Sequence, residues 1–352
     1  MASAALASLA QVAPRIGGLD WGLVAIFLVV GTGLAIAVRG RQDGVRDFFL
    51  SNRNLPWTLV CASLIATEIS AASFLGVPLL AYQGSLIYLQ LAIGTIIARV
   101  LVGYLLIPAF YEQPLSSPYH FIGTRLGLGP ERMTRGLFII GTVLGQAVRV
   151  FMVAIAIRVI TGLQVEWTIF VITVFAALWA LIGGIRTVVW TDLLALLVIV
   201  AAGVAAAVYV ISQTTGGLGE VIQQASDAKK LKFFDFDLDL VLTFTIWTGL
   251  LGSTFNTLAS HGVDHMNTQR LFCCRSGRDA RRAVIGSALS QLFVMLMILV
   301  GLGLFAYYQQ NASDRDTQVF YFGASNILAI FVGTVMPTGL KGLLVIGLLA
   351  AA

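Results

Sequence analysis

The segment from Ser63 to Pro78 places a carboxylate, hydroxyl groups, a glycine and a proline inside a long apolar run. Glu68 is the carboxylate, and because a charge at membrane depth is costly, it indicates a functional site. Gly76 and Pro78 favour an interrupted helix, whose freed backbone carbonyls can bind a cation. We therefore predict a break between about Ile69 and Gly76. The alternative is a kinked packing helix in which Glu68 pairs with an arginine.

Other charged residues also lie within or beside apolar runs. Asp192 is either an acid on an ion pathway or an acid in the first turn of a helix, stabilised by the helix dipole. Arg99 and Arg149 either extend to the membrane surface, pair with Glu68 or line a cavity. The histidines and cysteines of the chain are not spaced so that a third or fourth metal ligand accompanies them. We therefore expect no metal site other than one for sodium.

Composition limits the class of protein. The chain has 352 residues, of which 58% are apolar and 11% charged, and its mean hydropathy is +0.90. A soluble domain has about 25% charged residues, so these values predict a polytopic helical membrane protein. Three cysteines exclude a disulfide scaffold. The net charge of +5 is typical of basic cytoplasmic loops and does not indicate nucleic-acid binding.

Long apolar runs bounded by charge predict about eight full spans and part of a ninth. The predicted spans are Trp21–Val38, two helices within Pro56–Phe110 that are separated at Tyr82–Ser85, Gly136–Ile157, Trp167–Gly184, Thr187–Ser212, Leu240–Ser260, Ala283–Gln309 and a helix from Gly339. Because the last run stops at Ala352 after fewer than the roughly 20 residues that a span needs, we expect a fragment of a longer protein that does not transport by itself.

Lysine and arginine are concentrated in alternate loops, chiefly within residues 39–53, 125–135 and 270–282. The positive-inside rule places these loops in the cytoplasm and the N-terminus outside the cell. Residues 213–239 then form an external loop, whose acidic and aromatic stretch Phe233–Asp239 favours a solvated surface cap over a cation-attracting mouth. No Walker A motif, nucleophile elbow or zinc-protease motif occurs, so we expect neither ATP-driven transport nor an enzyme.

Four segments in order resemble the sodium/solute symporter family, which includes sodium-coupled sugar, proline, pantothenate and iodide carriers. They are Ser63–Pro78, Gly183–Asp192, Asp264–Ser276 and Gly339–Ala352. The resemblance covers about residues 20–352 and implies an all-α polytopic membrane protein with a LeuT-like bundle of two inverted five-helix repeats. The implied organisation is an N-terminal tail (1–18), an extra transmembrane helix (19–39), the first repeat (56–212), the external loop (213–239) and an incomplete second repeat (240–352).

The resemblance also implies sodium-binding residues. The backbone carbonyls of Ala66 and Ile69 would coordinate Na⁺ at the break, and the carbonyl of Ala351 would contribute from the last helix. Two hydroxyl ligands would follow Ala351, beyond the last residue of this sequence. Hard oxygen ligands suit an alkali cation. Asp192 matches an acid on the sodium exit route of relatives.

By the same resemblance, the substrate pocket lies beside the break. The matching positions are Glu68, Ser73, Thr257, Ser260 and His261. They depart from the amide and aromatic side chains of sugar-binding members, which favours a small organic anion or an amino-acid-like solute.

The implied function is sodium-coupled symport by alternating access. The protein would act in the cell membrane with a small solute, Na⁺ and the lipid bilayer as partners, and without nucleic acid. The alternative is a non-transporting sensor or channel module with the same fold, such as the membrane part of a histidine kinase.

Overall fold

The computed structural model describes residues 16–39, 44–112, 117–238, 242–312 and 326–351. Regular structure in these ranges is helical, apart from one isolated bridge between Leu55 and Cys274. The α-helices are α1 (Gly18–Val38), α2 (Val45–Leu50), α3 (Trp57–Glu68), α4 (Val77–Gln83), α5 (Leu91–Leu101), α6 (Ile107–Tyr111), α7 (Pro118–Leu126), α8 (Leu128–Thr161), α9 (Val165–Gln213), α10 (Gly217–Asp227), α11 (Ser253–Gly262), α12 (His265–Phe272), α13 (Gly277–Gly286), α14 (Ser290–Gln310), α15 (Ile327–Thr334) and α16 (Leu340–Ala350).

Shorter helical turns join several of these helices into longer segments. Turns of π-helix precede α4, link α5 to α6 and precede α11, at Ala72–Gly76, Val102–Leu106 and Thr248–Gly252. By length and composition, 5 of the helical segments in the described part are able to cross a membrane, or 6 if the bent pair Trp57–Glu68 and Ala72–Gln83 is one span. The exact number of spans stays a prediction.

The long helix α9 contains the boundary between two predicted spans. Gly183 and Gly184 have non-helical backbone angles inside it, and Gly184 has φ +58°. A side chain at Gly184 would also overlap the carbonyl oxygen of Phe48. Glycine is therefore required there for both its conformation and its close contact. The two predicted spans Trp167–Gly184 and Thr187–Ser212 meet at this kink as parts of one continuous helix.

Two buried apolar clusters make up the core. One includes residues of α4, α8, α9, α14, α15 and α16, and the other combines α3, α6, α12 and α13 with part of α9. Leu64 on α3 belongs to the second cluster, whereas Ile69 and Phe74 belong to the first. The bend between α3 and α4 thus lies where the two clusters meet.

Several short helices lie outside the predicted spans, among them α10 and α15. The segment 213–239, predicted to be an external loop, contains α10, and two of its residues, Val221 and Ala225, are fully buried. The short helix α15 is almost entirely buried. It has eight residues, fewer than the roughly 20 that a transmembrane span needs. The predicted N-terminal tail lies mostly outside the described residues.

Candidate functional site

The predicted interruption is a bend of 60° between Trp57–Glu68 and Ala72–Gln83. Helix α3 ends at Glu68, and Ile69 has an extended backbone with φ −72° and ψ 109°. Gly76 has helical angles, and Pro78 lies at the start of α4. The interruption is therefore confirmed at Ile69, but it does not extend to Gly76. Pro78 lacks an N–H, and the preceding π turn lets the chain continue past it.

The bend places the predicted sodium ligands in the interior. Ala66 and Ile69 are buried on either side of the end of α3, and Ala351 is buried just beyond the end of α16. Ile69 and Ala351 belong to the same apolar cluster. Arg149 Nη1 donates a hydrogen bond to the carbonyl oxygen of Thr67 over 3.4 Å. The end of α3 thus supplies at least one carbonyl that is accessible to a cationic group.

A cavity of about 630 Å³ lies beside the bend. Ligand pockets commonly enclose about 300–1,000 Å³. The five predicted substrate residues all line this cavity: Glu68, Ser73, Thr257, Ser260 and His261. Ile69 lines it as well. The structure therefore brings together residues from both halves of the bent helix and from α11.

Glu68 forms an ion pair with Arg99. The Arg99 side chain has no exposed surface, whereas the Glu68 side chain is 28% exposed. Arg99 Nη2 also donates to Ser290 Oγ over 3.3 Å. Its Nε and Nη1 atoms are buried and have no hydrogen-bond partner in the described part of the chain. Of the alternatives that the sequence left open, Arg99 pairs with Glu68, and Arg149 lines the cavity.

His261 lines the cavity and carries a nitrogen that has no partner among the described residues. Its Nδ1 atom lies 3.0 Å from Ser260 Oγ, and the side chain of Asn267 donates to the Ser260 carbonyl over 2.8 Å. The Nε2 atom is buried, and none of the residues described here bonds to it. Because a buried polar atom normally has a partner, Nε2 is available to water or to a bound solute.

Sequence reasoning did not assign several polar residues of the cavity wall. On α8 these are Thr142 and Gln146, together with Arg149, for which a cavity was only one of three alternatives. On α11 the additional residue is Asn256. The α8 residues recur at spacings of three and four, so they share one face of the helix. A search for polar stripes of this period within the apolar spans identifies them.

A second cluster surrounds Asp192. Arg270 donates to its Oδ2 atom from Nη2 over 3.0 Å and from Nε over 3.2 Å. Ser63 donates to the same oxygen and accepts from Arg270 Nε over 2.8 Å. Asp192 lies about two turns beyond Gly184, at 3.6 residues per turn. The first-turn position was therefore wrong: the carboxylate is stabilised by side chains of α3 and α12.

The model of the sodium:solute symporter family matches residues 48–352. The chain is 28% identical over 322 residues to human sodium-coupled monocarboxylate transporter 2, covering 91% of this chain and 52% of that protein. It is 28% identical over 309 residues to the human sodium/iodide cotransporter, covering 84% and 46%. The chain thus spans about half the length of the curated relatives it matches.

One similar solved structure is described as the substrate-bound outward-open state of a Na⁺-coupled sialic acid symporter. The TM-score is 0.88 at 23% identity, and the match covers 96% of this chain and 71% of the other. This likeness concerns the fold. The prediction of an all-α LeuT-like bundle is confirmed.

Proposed function

The chain belongs to the sodium:solute symporter family, and from this premise we propose that the protein couples sodium entry to the uptake of a small solute. Alternating access exposes one central site to each side of the membrane in turn. A sodium gradient drives the solute uphill if both ligands favour the same conformation. The family and the relatives are transporters, and we infer that the chain carries out no covalent chemistry.

The observation that carries this proposal is the polar cavity at the bend of the α3–α4 segment. The cavity includes Glu68 and Ile69 from the end of α3 and Ser73 from the turn before α4. Discontinuous helices provide carbonyls for a coupling ion beside the solute. We assign Na⁺ to the carbonyls of Ala66, Ile69 and Ala351, and the solute to the cavity.

We propose that the solute is a small organic anion. Two of the similar proteins are named for monocarboxylate and iodide transport. The charge of Glu68 is already compensated by Arg99. Arg149 lines the cavity, and its one side-chain hydrogen bond in the described ranges goes to Thr67 O. Its guanidinium group therefore has donors left for a carboxylate, which it binds best in a bidentate arrangement.

The other assigned solute-binding groups surround this anion site. Ser73, Thr257 and Ser260 supply hydroxyl groups, and His261 supplies the unpartnered Nε2 atom. Glu68 pairs with the buried Arg99 and would not contact an anion directly.

We further propose that Asp192 attracts Na⁺ as the ion leaves toward the cytoplasm. In the structure its carboxylate is bound to Arg270 and Ser63. A departing cation would compete with Arg270 for this carboxylate. The protein is a multi-pass membrane protein. We place it in the cell membrane, in contact with lipid and with its N-terminus outside, because the cationic loops favour this orientation.

Uptake into proteoliposomes tests the proposal. The full-length protein is reconstituted, and uptake of labelled lactate, pyruvate and iodide is measured with an inward gradient of either Na⁺ or K⁺. We expect uptake of at least one anion with Na⁺ only. Arg149→Met is expected to raise the KM of that anion by about tenfold or more, because hydrogen bonds to charged groups contribute about 1.5–3 kcal/mol.

Arg158→Met is the matched control, since Arg158 lies on the same helix with an exposed side chain. It should leave the KM unchanged. The absence of sodium-dependent uptake for every solute, including neutral sugars and amino acids, would contradict symport. Sodium-driven uptake of a neutral sugar alone would contradict the anion assignment and leave symport in place.

A further inference from the structure

Asp20 lies on α1, ahead of the residues that match the family model. It is 1% exposed, although aspartate is seldom fully buried without a partner. Within the described ranges it forms no salt bridge. Its carboxylate is instead satisfied by backbone N–H groups from two helices.

Each of the two carboxylate oxygens of Asp20 accepts hydrogen bonds from the start of a different helix. Asp20 Oδ2 accepts a hydrogen bond from Gly17 N at the start of α1, over 2.9 Å. Asp20 Oδ1 accepts from Gly339 N over 2.6 Å and from Gly342 N over 2.7 Å, at the start of α16. Two helix N-termini therefore share one negative charge, which their dipoles stabilise.

Asp20 replaces a side chain that α16 lacks. The N-cap residue of α16 is Gly339, which has no oxygen to accept the N–H of the third helical residue. An N-cap side chain normally performs this task, and its loss costs about 0.5–2 kcal/mol. Asp20 supplies the missing acceptor from a helix more than 300 positions away in the sequence.

The two helix starts are also in close contact. A Cβ atom added to Gly342 would lie 2.7 Å from Asp20 Cα, and one added to Gly17 would lie 2.6 Å from Thr338 Cγ2. Gly339 has φ +92°, in the region that favours glycine. The contact therefore holds the start of α16 at a fixed distance from α1.

We infer that Asp20 is a positioning residue for sodium binding, because it fixes the start of the helix whose far end carries Ala351. Helix α16 has 11 residues, or about 16 Å at 1.5 Å per residue, and such a rod transmits a shift along its axis. Lys341 Nζ binds the carbonyl of Gly333 over 2.7 Å, which ties the same end to α15. The sodium part of this inference rests on the proposed function.

Hydrogen exchange and sodium titration of the full-length protein test the inference. Asp20→Ala and Asp20→Asn are compared with wild type, and Asp227→Ala is the control because Asp227 is exposed at the end of α10. In Asp20→Ala we expect about tenfold faster exchange of the amides in residues 339–343, since local opening becomes easier. Asp20→Asn retains an acceptor oxygen and should show a smaller increase.

The second readout is the sodium concentration that gives a fixed rise in Tm, with K⁺ as the reference cation. Ligand binding to the folded state raises stability by RT ln(1 + c/Kd), where c is the free ligand concentration, so a weaker site needs a proportionally higher sodium concentration for the same rise. We expect about a fivefold higher concentration for the same rise in Asp20→Ala, a smaller increase in Asp20→Asn and none in the control. Asp20→Asn decides the outcome if the alanine variant does not fold.

Unchanged exchange at residues 339–343 would overturn the contact itself. Faster exchange with unchanged sodium affinity would leave Asp20 as a purely structural cap and overturn its positioning role. A wild-type protein with no Na⁺-specific rise in Tm would contradict the proposed function, whereas the exchange experiment would still report on the contact.

Discussion

Two acid–arginine pairs lie in the interior of the bundle, and they differ in how completely the arginine is satisfied. Arg270 uses Nε and Nη2 for Asp192 and donates Nη1 to the carbonyl of Met266 over 2.7 Å. Arg99 uses Nη2 for Glu68 and Ser290, while Nε and Nη1 have no partner in the described chain.

The difference indicates two roles. The Asp192–Arg270 pair is a completed connection between α9 and α12, with Ser63 adding α3. The Glu68–Arg99 pair is incomplete and adjoins the cavity through Glu68. An unsatisfied buried donor is unfavourable, so the Glu68–Arg99 pair is less completely stabilised than the Asp192–Arg270 pair. The first pair holds the helices together, and the second presents its carboxylate to the cavity.

The largest expected effect is the loss of Glu68. Glu68→Gln leaves Arg99 fully buried, always charged and without a counter-charge, so we expect the free energy of unfolding to fall by about 3–5 kcal/mol. Arg99→Met should cost less, because the Glu68 side chain is partly exposed whereas that of Arg99 is not. Unfolding of both variants in detergent measures the difference. A larger loss in Arg99→Met than in Glu68→Gln would show that the burial argument is wrong.

Arg270→Lys tests the completed pair. The ammonium group keeps the charge but cannot reach Ser63, Asp192 and the Met266 carbonyl together, so we expect a loss of about 2 kcal/mol. Arg275→Lys is the matched control, because Arg275 is exposed and bonds only to Asn54 in the described structure. Its effect should stay within about 0.5 kcal/mol. Equal losses in the two variants would show that the bonds of Arg270 contribute no more to stability than those of an exposed arginine.

Asp192→Asn should have a smaller effect on stability and a specific effect on the sodium concentration that uptake requires. The amide oxygen still accepts from Arg270 and Ser63. Arg270 also keeps its bond to the Met266 carbonyl, which has no equivalent at Arg99 in the described chain. We therefore expect a loss of about 1 kcal/mol, smaller than in Glu68→Gln. Removal of the charge should raise the half-saturating sodium concentration for uptake. If that concentration and the maximal rate both equal the wild-type values, Asp192 serves only the packing of α9 against α12.

The smallest expected effect concerns two thiols next to Arg270. Cys273 and Cys274 have no exposed surface, and burial raises the pKa of Cys273 to about 12. Because the thiolate is the reactive form, we expect slow maleimide labelling of both at pH 8. Arg278→Cys, at an exposed position in the same region, should label rapidly. Faster labelling of the native thiols in Arg270→Lys would show that the Asp192–Arg270 pair keeps this region closed. Rapid labelling of the wild-type protein would contradict the burial of the two thiols.

Much of the candidate site could be predicted from local pattern. The coincidence of Glu68 and Pro78 in one apolar run indicated the bend, although the break lies at Ile69 and the proline falls inside a helix. The resemblance to known carriers assigned Thr257 and His261 to the pocket, and both line the cavity. Arg149 by itself was left among three alternatives, because one arginine in an apolar span gives no indication of which way its helix faces. Only its helical spacing from Thr142 and Gln146 gives that indication.

The sequence by itself determined the protein class, the apolar segments and the position of the interruption. These features depend on the hydropathy and backbone preferences of neighbouring residues, which act locally. Only the tertiary structure decided that Asp192 pairs with Arg270, that Glu68 pairs with Arg99, and that Asp20 caps α16. Each of these contacts joins residues on different helices. Their formation depends on how the helices pack and on which buried charges must be satisfied, and neither is encoded in the spacing of residues along one segment.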